Sequence, residues 1–212
     1  MAKVDIAEMF VSIQGESTFA GLGCFFIRLA GCNLRCLYCD TPEALEAGQQ
    51  KIEVASVVQC ARDSRVPLVE ITGGEPLLQA EFTELARKLV SLPGKRVLIE
   101  TNGSQDISRI PEGAIAIVDV KCPGSGAGES FDFENLERLR ADDELKFVLM
   151  SREDYEWARE FVIGHRLSKQ GNPIHFSPVQ GALDATLLGQ WILEDGLQVR
   201  LQVQLHKILG VR

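Results

Sequence analysis

Short apolar runs rich in Val, Ile and Phe alternate along this chain with stretches of helical period. Strands that are buried on both faces and joined by crossover helices give this pattern, so it restricts the fold to a parallel α/β architecture. The strand candidates are VDIAEMFVSI, CFFIRLAG, PLVEITGG, RVLIETNG, AIAIVDVK, DELKFVLM, PIHFSPVQ and LQVRLQVQLH. Helical stripes are predicted at 53–63, 82–90, 151–164 and 184–195. For a chain of 212 residues we expect a single domain, residues 1–212.

Charge and hydropathy exclude several functional classes. A formal net charge of -8 argues against a sequence-independent grip on nucleic acid or on an anionic membrane. No stretch approaches the roughly 20 apolar residues of a membrane span, and the first residues lack the pattern of a signal peptide. We therefore expect a cytoplasmic protein with no nucleic-acid or membrane partner, whose six cysteines are kept as thiols.

Half of the cysteines fall within eight residues with the spacing C-x3-C-x2-C, namely Cys32, Cys36 and Cys39. Three thiolates can ligate three irons of a cubane cluster, which leaves the fourth iron open for an exogenous ligand. A structural zinc site in a binding module is the alternative, and it would require a fourth Cys or His to complete the tetrahedral ligand shell. The spacing favours the cluster without excluding zinc. Cys24 and Cys60 are expected in the core, and packing is the simplest role for Cys122.

Polar or Gly-rich segments follow almost every predicted strand: GCNLRC, GGEP, TNGS, KCPGSG and SPVQG. In parallel α/β folds and barrels, ligands bind at the carboxyl ends of the strands, where these loops converge. We therefore interpret the loops as one site. The Gly-rich segment 123–129 is either part of that site or a flexible turn.

The stretch CNLRCLYC resembles the signature of the radical S-adenosylmethionine (SAM) superfamily, and TGGEP resembles its GGEP motif. The resemblance implies the radical SAM fold, a partial or trimmed TIM-like βα barrel with parallel strands. It also implies a 4Fe-4S cluster on the three cysteines, with SAM chelated to the open iron and cleaved to a radical by an electron from the cluster. The cofactor supplies this chemistry while the protein orients and shields it. The glycines would let the backbone approach the methionine part of SAM.

Segments along nearly the whole chain, SIQGE, FIRL, CDT, SPVQ and QLHK, resemble the 7-carboxy-7-deazaguanine synthase family. The reaction implied is the conversion of 6-carboxy-5,6,7,8-tetrahydropterin to 7-carboxy-7-deazaguanine with loss of ammonia, in queuosine and 7-deazapurine biosynthesis. The substrate-binding residues implied are Ile13, Gln14, Gly15, Glu16, Arg28, Thr72, His206 and Arg212. The SAM-binding residues implied are Tyr38, Cys39, Asp40, Gly74, Glu75, Asp119, Val120, Lys121, Ser177, Pro178, Val179 and Gln180, with Ser125 as a competing contact.

The implied substrate makes chemical sense of these residues. A pterin presents an amino-pyrimidinone edge that Gln14 and Glu16 can pair with, while its carboxylate calls for Arg28 and His206. Each of these residues also has a structural explanation, as part of a polar turn, a strand edge or a satisfied core. The chain departs from the common QGEG by placing Ser17 where Gly is usual.

The resemblance further implies Mg²⁺, for which Thr41 matches the protein ligand. Mg²⁺ keeps several waters and can take its other oxygens from the substrate carboxylate. The expected partners are the carboxy-tetrahydropterin, an electron donor such as flavodoxin and a second copy in a homodimer, since so small a barrel leaves apolar sheet edges. A second enzyme hypothesis is a small radical SAM activase that abstracts hydrogen from a glycine of a partner protein. Such an activase would lack the QGE, Arg28 and His206 set.

Overall fold

The structure, a computed structural model, describes residues 1–48 and 50–211. Within those residues the strands are β1 (Lys3–Ile13), β2 (Gly23–Leu29), β3 (Gln50–Glu53), β4 (Leu68–Gly73), β5 (Arg96–Thr101), β6 (Ala114–Asp119), β7 (Glu144–Leu149), β8 (Ile174–Pro178) and β9 (Arg200–Leu201). The α-helices are α1 (Val54–Asp63), α2 (Phe82–Val90), α3 (Asn135–Arg138), α4 (Arg152–Gly164), α5 (Ala185–Glu194) and α6 (Leu205–Leu209). None of the helices in the described part of the chain has the length and apolar character that a membrane span requires.

The described strands form one sheet in the order β3-β1-β2-β4-β5-β6-β7-β8-β9. From β2 to β9 every pairing is parallel, while β1 runs antiparallel to both β2 and β3. The helices α1, α2, α4 and α5 begin within two residues of the predicted starts of the stripes. The parallel α/β prediction is therefore confirmed.

The sheet curls into an open, partial barrel. β2 and β7 are four strand spacings apart, which in a flat sheet is about 19 Å. Nevertheless Arg28 of β2 and Lys146 of β7 line the same cavity, and Lys146 reaches Glu16 just beyond β1. The edges β3 and β9 are not paired with each other, so the barrel stays open as the resemblance implied.

Alternation along the strands divides the core in two. On the outer face, residues such as Ile27, Ile71 and Phe147 are buried beneath the helices. On the inner face, a smaller apolar cluster fills the lower end of the barrel, and it consists of Phe19, Cys24, Phe26, Leu68, Leu98 and Ile117. We call this cluster the apolar plug. Burying each of its large side chains contributes about 1.5–3 kcal/mol, so the plug is a stable floor for the cavity above it.

Two expectations need correction. The stretch LQVRLQVQLH, residues 197–206, was expected as one strand, but only Arg200–Leu201 pair with β8, and a helix begins at Leu205. The amides of Gln202 and Gln204 explain the change, because they bind the loop that follows β1 instead of lying along a regular edge strand. Cys60, expected in the core, lies on α1 but is exposed.

Candidate active site

The polar loops predicted to form one site line one cavity, with a volume of about 380 Å³. It lies at the carboxyl ends of the parallel strands, above the apolar plug. The predicted site residues that line it are Ile13, Gln14, Gly15, Glu16, Arg28, Cys32, Cys36, Tyr38, Cys39, Asp40, Thr41, Thr72, Gly74, Asp119, Lys121, Val179 and His206. The fold therefore brings together residues that are separated by almost the whole length of the chain.

The cysteine loop, residues 31–45, is held by backbone hydrogen bonds. The N–H groups of Gly31 and Cys32 donate to the carbonyls of Ala44 and Leu45, at 2.9 and 3.0 Å. The N–H of Leu37 donates to the carbonyl of Ser125 at 2.9 Å, so the Gly-rich segment after β6 supports the loop from outside. All three cysteine side chains of the loop are half-buried and face the cavity.

This donor set fits a cubane cluster on chemical grounds. Three thiols from one short loop border the same cavity, and burial raises the pKa of Cys36 while nearby Lys121 opposes that shift. Iron binding would outweigh this effect of burial, because a coordinating thiol is deprotonated. Among the described residues, no group of three or more His, Cys, Asp or Glu side chains is arranged to hold a single metal ion.

The GGEP turn passes directly beneath the cysteine loop. A methyl group at Gly74 would overlap the carbonyl oxygens of Gly31 and Ala44, so only glycine fits there. The Glu75 carboxylate is fully buried and accepts from the N–H of Leu77 at 2.9 Å and of Asn102 at 2.7 Å, and from the Thr101 hydroxyl. Burial raises its pKa to about 6 despite these donors. Glu75 thus braces the turn from within the fold and does not line the cavity.

The QGE segment after β1 forms one wall of the cavity. The buried Gln14 amide donates to Glu70 on β4 and accepts from the N–H of Glu16 at 2.8 Å. The Glu16 carboxylate accepts from Lys146 at 2.9 Å and from Gln204 at 2.8 Å. A methyl group at Gly15 would overlap Nδ1 of His206, so the glycine lets α6 pack onto this segment.

Lys146 is the centre of a buried charge cluster that sequence reasoning missed. Its ammonium pairs with Glu16 and Glu100 and lies 3.7 Å from Oδ2 of Asp119. Burial alone would raise the pKa of Glu100, but the ammonium of Lys146 lowers it to about 2. Among the described residues, Glu70 forms no salt bridge, and burial followed by the charge of Glu100 raises its pKa well above the ordinary value, although Lys146 and Arg28 oppose the shift.

Other cavity residues are held in pairs. Arg28 donates through Nε to Glu8 at 2.8 Å, and the Thr72 hydroxyl donates to Glu100 at 3.1 Å. On the opposite side, Lys207 of α6 pairs with the exposed Asp40 at 2.8 Å. This last pair joins α6 to the cysteine loop, so the short helix contacts both sides of the cavity mouth.

The predicted SAM-binding residues divide into two groups. Tyr38 donates from its hydroxyl to the Val148 carbonyl at 3.1 Å, and Lys121 pairs with Asp119 at 2.8 Å, both at the cavity wall. Thr41, which was predicted as the Mg²⁺ ligand, also lines the cavity, and its hydroxyl lies 4.0 Å from the sulfur of Cys39. The remaining predicted residues are not among those lining the cavity: Glu75, Val120, Ser177, Pro178 and Gln180. Arg212 lies outside the described residues.

Ser177 and Ser125 are both buried but differ in their partners. The Ser177 hydroxyl has no hydrogen-bond partner within the described part of the chain. The Ser125 hydroxyl donates to the Cys122 carbonyl at 2.6 Å and accepts from the N–H of Ala127 at 3.0 Å. Ser125 therefore uses its hydroxyl inside its own turn.

Several cavity residues had a sequence signal that went unused. Glu70, Glu100 and Lys146 are charged residues within apolar strands. A lone charge in a strand buried on both faces is costly unless it is paired, so such a residue indicates an inner-face partner or a site. Identifying the partners required knowing which strands face each other across the barrel.

The comparisons with known proteins agree with this architecture. Residues 26–120 match the Radical SAM superfamily. The crystal structure of QueE from Escherichia coli superposes with a TM-score of 0.76 over 96% of this chain and 95% of that chain, at 24% sequence identity. SuiB of Streptococcus suis, solved bound to S-adenosylmethionine, gives a TM-score of 0.56 over 81% of this chain and 48% of that chain, at 14% identity. The fold and the cysteine-lined cavity define a radical SAM enzyme, a class that uses a 4Fe-4S cluster and SAM.

Full-length relatives narrow the class. The 7-carboxy-7-deazaguanine synthase of Koribacter versatilis is 42% identical over 97% of this chain and 96% of that protein. The enzymes of the same name from Methanospirillum hungatei and Chlorobaculum tepidum are 42% and 40% identical, over 97% and 98% of this chain and 85% and 94% of those proteins. The chain belongs to the 7-carboxy-7-deazaguanine synthase family. This membership disfavours both the glycyl-radical activase and the zinc-stabilised binding module.

Proposed function

We propose that this cavity converts 6-carboxy-5,6,7,8-tetrahydropterin to 7-carboxy-7-deazaguanine with loss of ammonia. The observation that carries the proposal is that the cluster-type cysteines line one cavity with all the predicted substrate-binding residues except Arg212, which lies outside the described residues. Gln14, Glu16, Arg28 and His206 supply the polar groups that pair with the substrate. When bound, the cluster and SAM supply the radical that removes a hydrogen atom from C6 of the pterin.

The residues of the chain bind and orient the substrate. Glu16, held from two sides by Lys146 and Gln204, keeps lone pairs for the N–H donors of the amino-pyrimidinone edge. Arg28, held by Glu8 of the neighbouring strand β1, and His206 take the substrate carboxylate. The apolar plug beneath the cavity excludes water from below.

We infer that Mg²⁺ binds at Thr41 and holds the substrate carboxylate close to the cysteine loop. The position of Thr41 at the cavity wall, two residues after Cys39, supports this assignment. A single hydroxyl suits Mg²⁺, which retains most of its waters. SAM would then contact the cavity residues Tyr38, Asp40, Gly74, Asp119, Lys121 and Val179, with the Ser177 hydroxyl available behind them.

We further infer a single-domain, cytoplasmic enzyme that receives electrons from a donor such as flavodoxin and works as a homodimer. Reduced thiols are needed for the cluster, which suits a reducing compartment. Large apolar side chains are exposed at the edge formed by β9 and α6, including Leu201, Ile208 and Leu209. Analytical ultracentrifugation tests the dimer, and a sedimentation coefficient of a monomer at micromolar concentration contradicts it.

The proposed reaction is tested by an anaerobic assay with the carboxy-tetrahydropterin, SAM, a reductant and Mg²⁺. We expect release of ammonia and formation of 7-carboxy-7-deazaguanine, with a requirement for Mg²⁺. Substrate deuterated at C6 should pass deuterium into SAM, because the abstracted hydrogen returns and SAM acts catalytically. Stoichiometric consumption of SAM without deuterium transfer would sink this scheme, and absence of any product would sink the proposed function.

A further inference from the structure

Lys146 contacts three carboxylates, one from the loop after β1 and two from the strands β5 and β6. Its side chain is only 5% exposed, and its Nζ lies 2.9 Å from Oε2 of Glu16 and 3.7 Å from Oδ2 of Asp119. Its partner on β5 is Glu100. A buried ammonium with this many carboxylate partners restricts their relative positions, because a carboxylate that moves away loses a charge partner in a poorly solvated site.

The three carboxylates differ in how much they depend on Lys146. Asp119 has a closer cation, Lys121 at 2.8 Å, and Glu100 also accepts from the Thr72 hydroxyl. Glu16 has the neutral amide of Gln204 as its other side-chain donor, at 2.8 Å. Within the described residues, Lys146 is thus the cation paired with Glu16.

The two donors approach Glu16 through different oxygens. Lys146 donates to Oε2 and Gln204 to Oε1, so the carboxylate plane is fixed from both sides. Each oxygen retains a further lone pair. Glu16 lines the cavity and therefore presents these lone pairs, in a set direction, to whatever binds there.

We propose that Lys146 is a positioning residue for substrate recognition, which holds Glu16 as an oriented anionic acceptor for the donor edge of an aminopyrimidinone. The inference rests on the proposed function and names the residue that gives Glu16 its direction. Without the ammonium, Glu16 and Glu100 would face each other as like charges in a buried site and would separate or share a proton. Either response removes the acceptor from the position that the substrate edge requires.

The test uses cluster-loaded protein under anaerobic conditions and measures binding rather than turnover. Isothermal titration calorimetry with 6-carboxypterin reports the substrate site, and a separate titration with SAM reports the cofactor site. The variants are Lys146→Met and the double variant Lys146→Met/Glu100→Met, which also removes the excess carboxylate charge without adding an N–H donor. Lys95→Met is the matched control. The Lys95 ammonium also donates to three oxygen atoms, the carbonyl and the hydroxyl of Ser64 and the carbonyl of Val66, but it is not among the residues that line the cavity.

We expect Lys146→Met to weaken 6-carboxypterin binding by about 10- to 100-fold, the loss typical of a hydrogen bond to a charged group. SAM affinity should stay within about 3-fold in the same variant, which a general loss of structure would not allow. The double variant should stay at least about 10-fold weaker than the wild type, because it restores the charge balance without restoring the donor to Glu16. It also serves as the deciding variant if Lys146→Met does not fold.

Wild-type pterin affinity in Lys146→Met would overturn the inference. Full recovery of binding in the double variant would also overturn it, because Lys146 would then only balance the charge of Glu100. Equal losses for SAM and the pterin would assign Lys146 to the stability of the barrel instead. Failure of the wild type to bind the pterin at all would instead count against the proposed function itself.

Discussion

The two sides of the cavity are built in opposite ways. In the cysteine loop the N–H of Cys39 bonds the carbonyl of Cys36, and Cys32 is paired with Leu45. On the substrate side, Glu16 is paired with Lys146 and Gln204, which lie 130 and 188 positions away. The cysteines proposed to hold the cluster are thus encoded locally, whereas the residues proposed to recognise the substrate come from the whole chain. Substitutions in the cysteine loop should abolish catalytic activity, and substitutions around Glu16 should mainly alter the affinity for the substrate.

The largest effect is expected on the cofactor side. Cys36→Ser should lose bound iron and reduce activity below detection, because a serine hydroxyl does not replace a thiolate as a ligand of this cluster. Iron content and the visible absorbance of the anaerobically reconstituted protein measure the loss. Cys60→Ser on the exposed face of α1 and Cys122→Ser after β6 are the controls, and both should keep the cluster. A Cys36→Ser protein with full iron content would overturn the assignment of the loop.

On the substrate side, Gly15→Ala should raise KM for the pterin by about 10- to 100-fold, because the added methyl group displaces His206 and α6. Iron content should not change, since the atoms nearest to the added methyl group belong to His206 and not to a cysteine. The matched control is Gly164→Ala at the end of α4, where an added methyl group meets nothing within 4 Å. Unchanged KM in Gly15→Ala would show that α6 can shift without consequence for the substrate.

The brace beneath the cysteine loop predicts a pH dependence of stability. Burial raises the pKa of Glu75 to about 6 from an ordinary value of 4.5, so the folded state binds this proton more tightly than the unfolded state. Its contribution is complete below pH 4.5 and falls by about 2 kcal/mol as the pH rises through 6. Urea unfolding of the cluster-free wild type and of Glu75→Gln should show their difference in unfolding free energy falling by this amount.

The exposed residue Glu84 on α2 provides the control for that measurement. The difference between the wild type and Glu84→Gln should not follow the same course between pH 4.5 and 7. If the Glu75 difference is flat over this range, the carboxyl is not protonated in the folded state and the brace acts as an anion throughout.

The smallest effect concerns the residue that departs from the family pattern. Ser17 has φ of 62°, a left-handed conformation that costs a non-glycine residue about 1–2 kcal/mol. Its hydroxyl accepts from the N–H of Phe19 at 3.2 Å, which offsets part of that cost. Ser17→Gly should therefore change the unfolding free energy by less than about 1 kcal/mol and leave KM unchanged. A large change in KM would show that the Ser17 hydroxyl acts on the substrate wall.

The locally encoded side was predictable and the distributed side was predictable only in part. The cysteine spacing and the GGEP turn each fit within a few residues, and the alternation of strands and helices predicted that their loops would meet. Lys146, Glu70 and Glu100 were missed because their partners lie on strands far apart in sequence, and no period links them. The same reason explains why the predicted C-terminal strand was wrong. Gln202 and Gln204 contact Ser17 and Glu16 after β1, and strand propensity carries no information about such a long-range interaction.

The contact between Gly15 and α6 has a consequence for how the molecule is made. The Gln202 amide binds both the N–H and the carbonyl of Ser17, across 185 positions, and α6 then covers Gly15. During synthesis the cysteine loop leaves the ribosome early, whereas the far wall of the pocket waits for residues 202–207. The proposed metal-binding loop is therefore synthesised long before the segment that completes the proposed substrate wall.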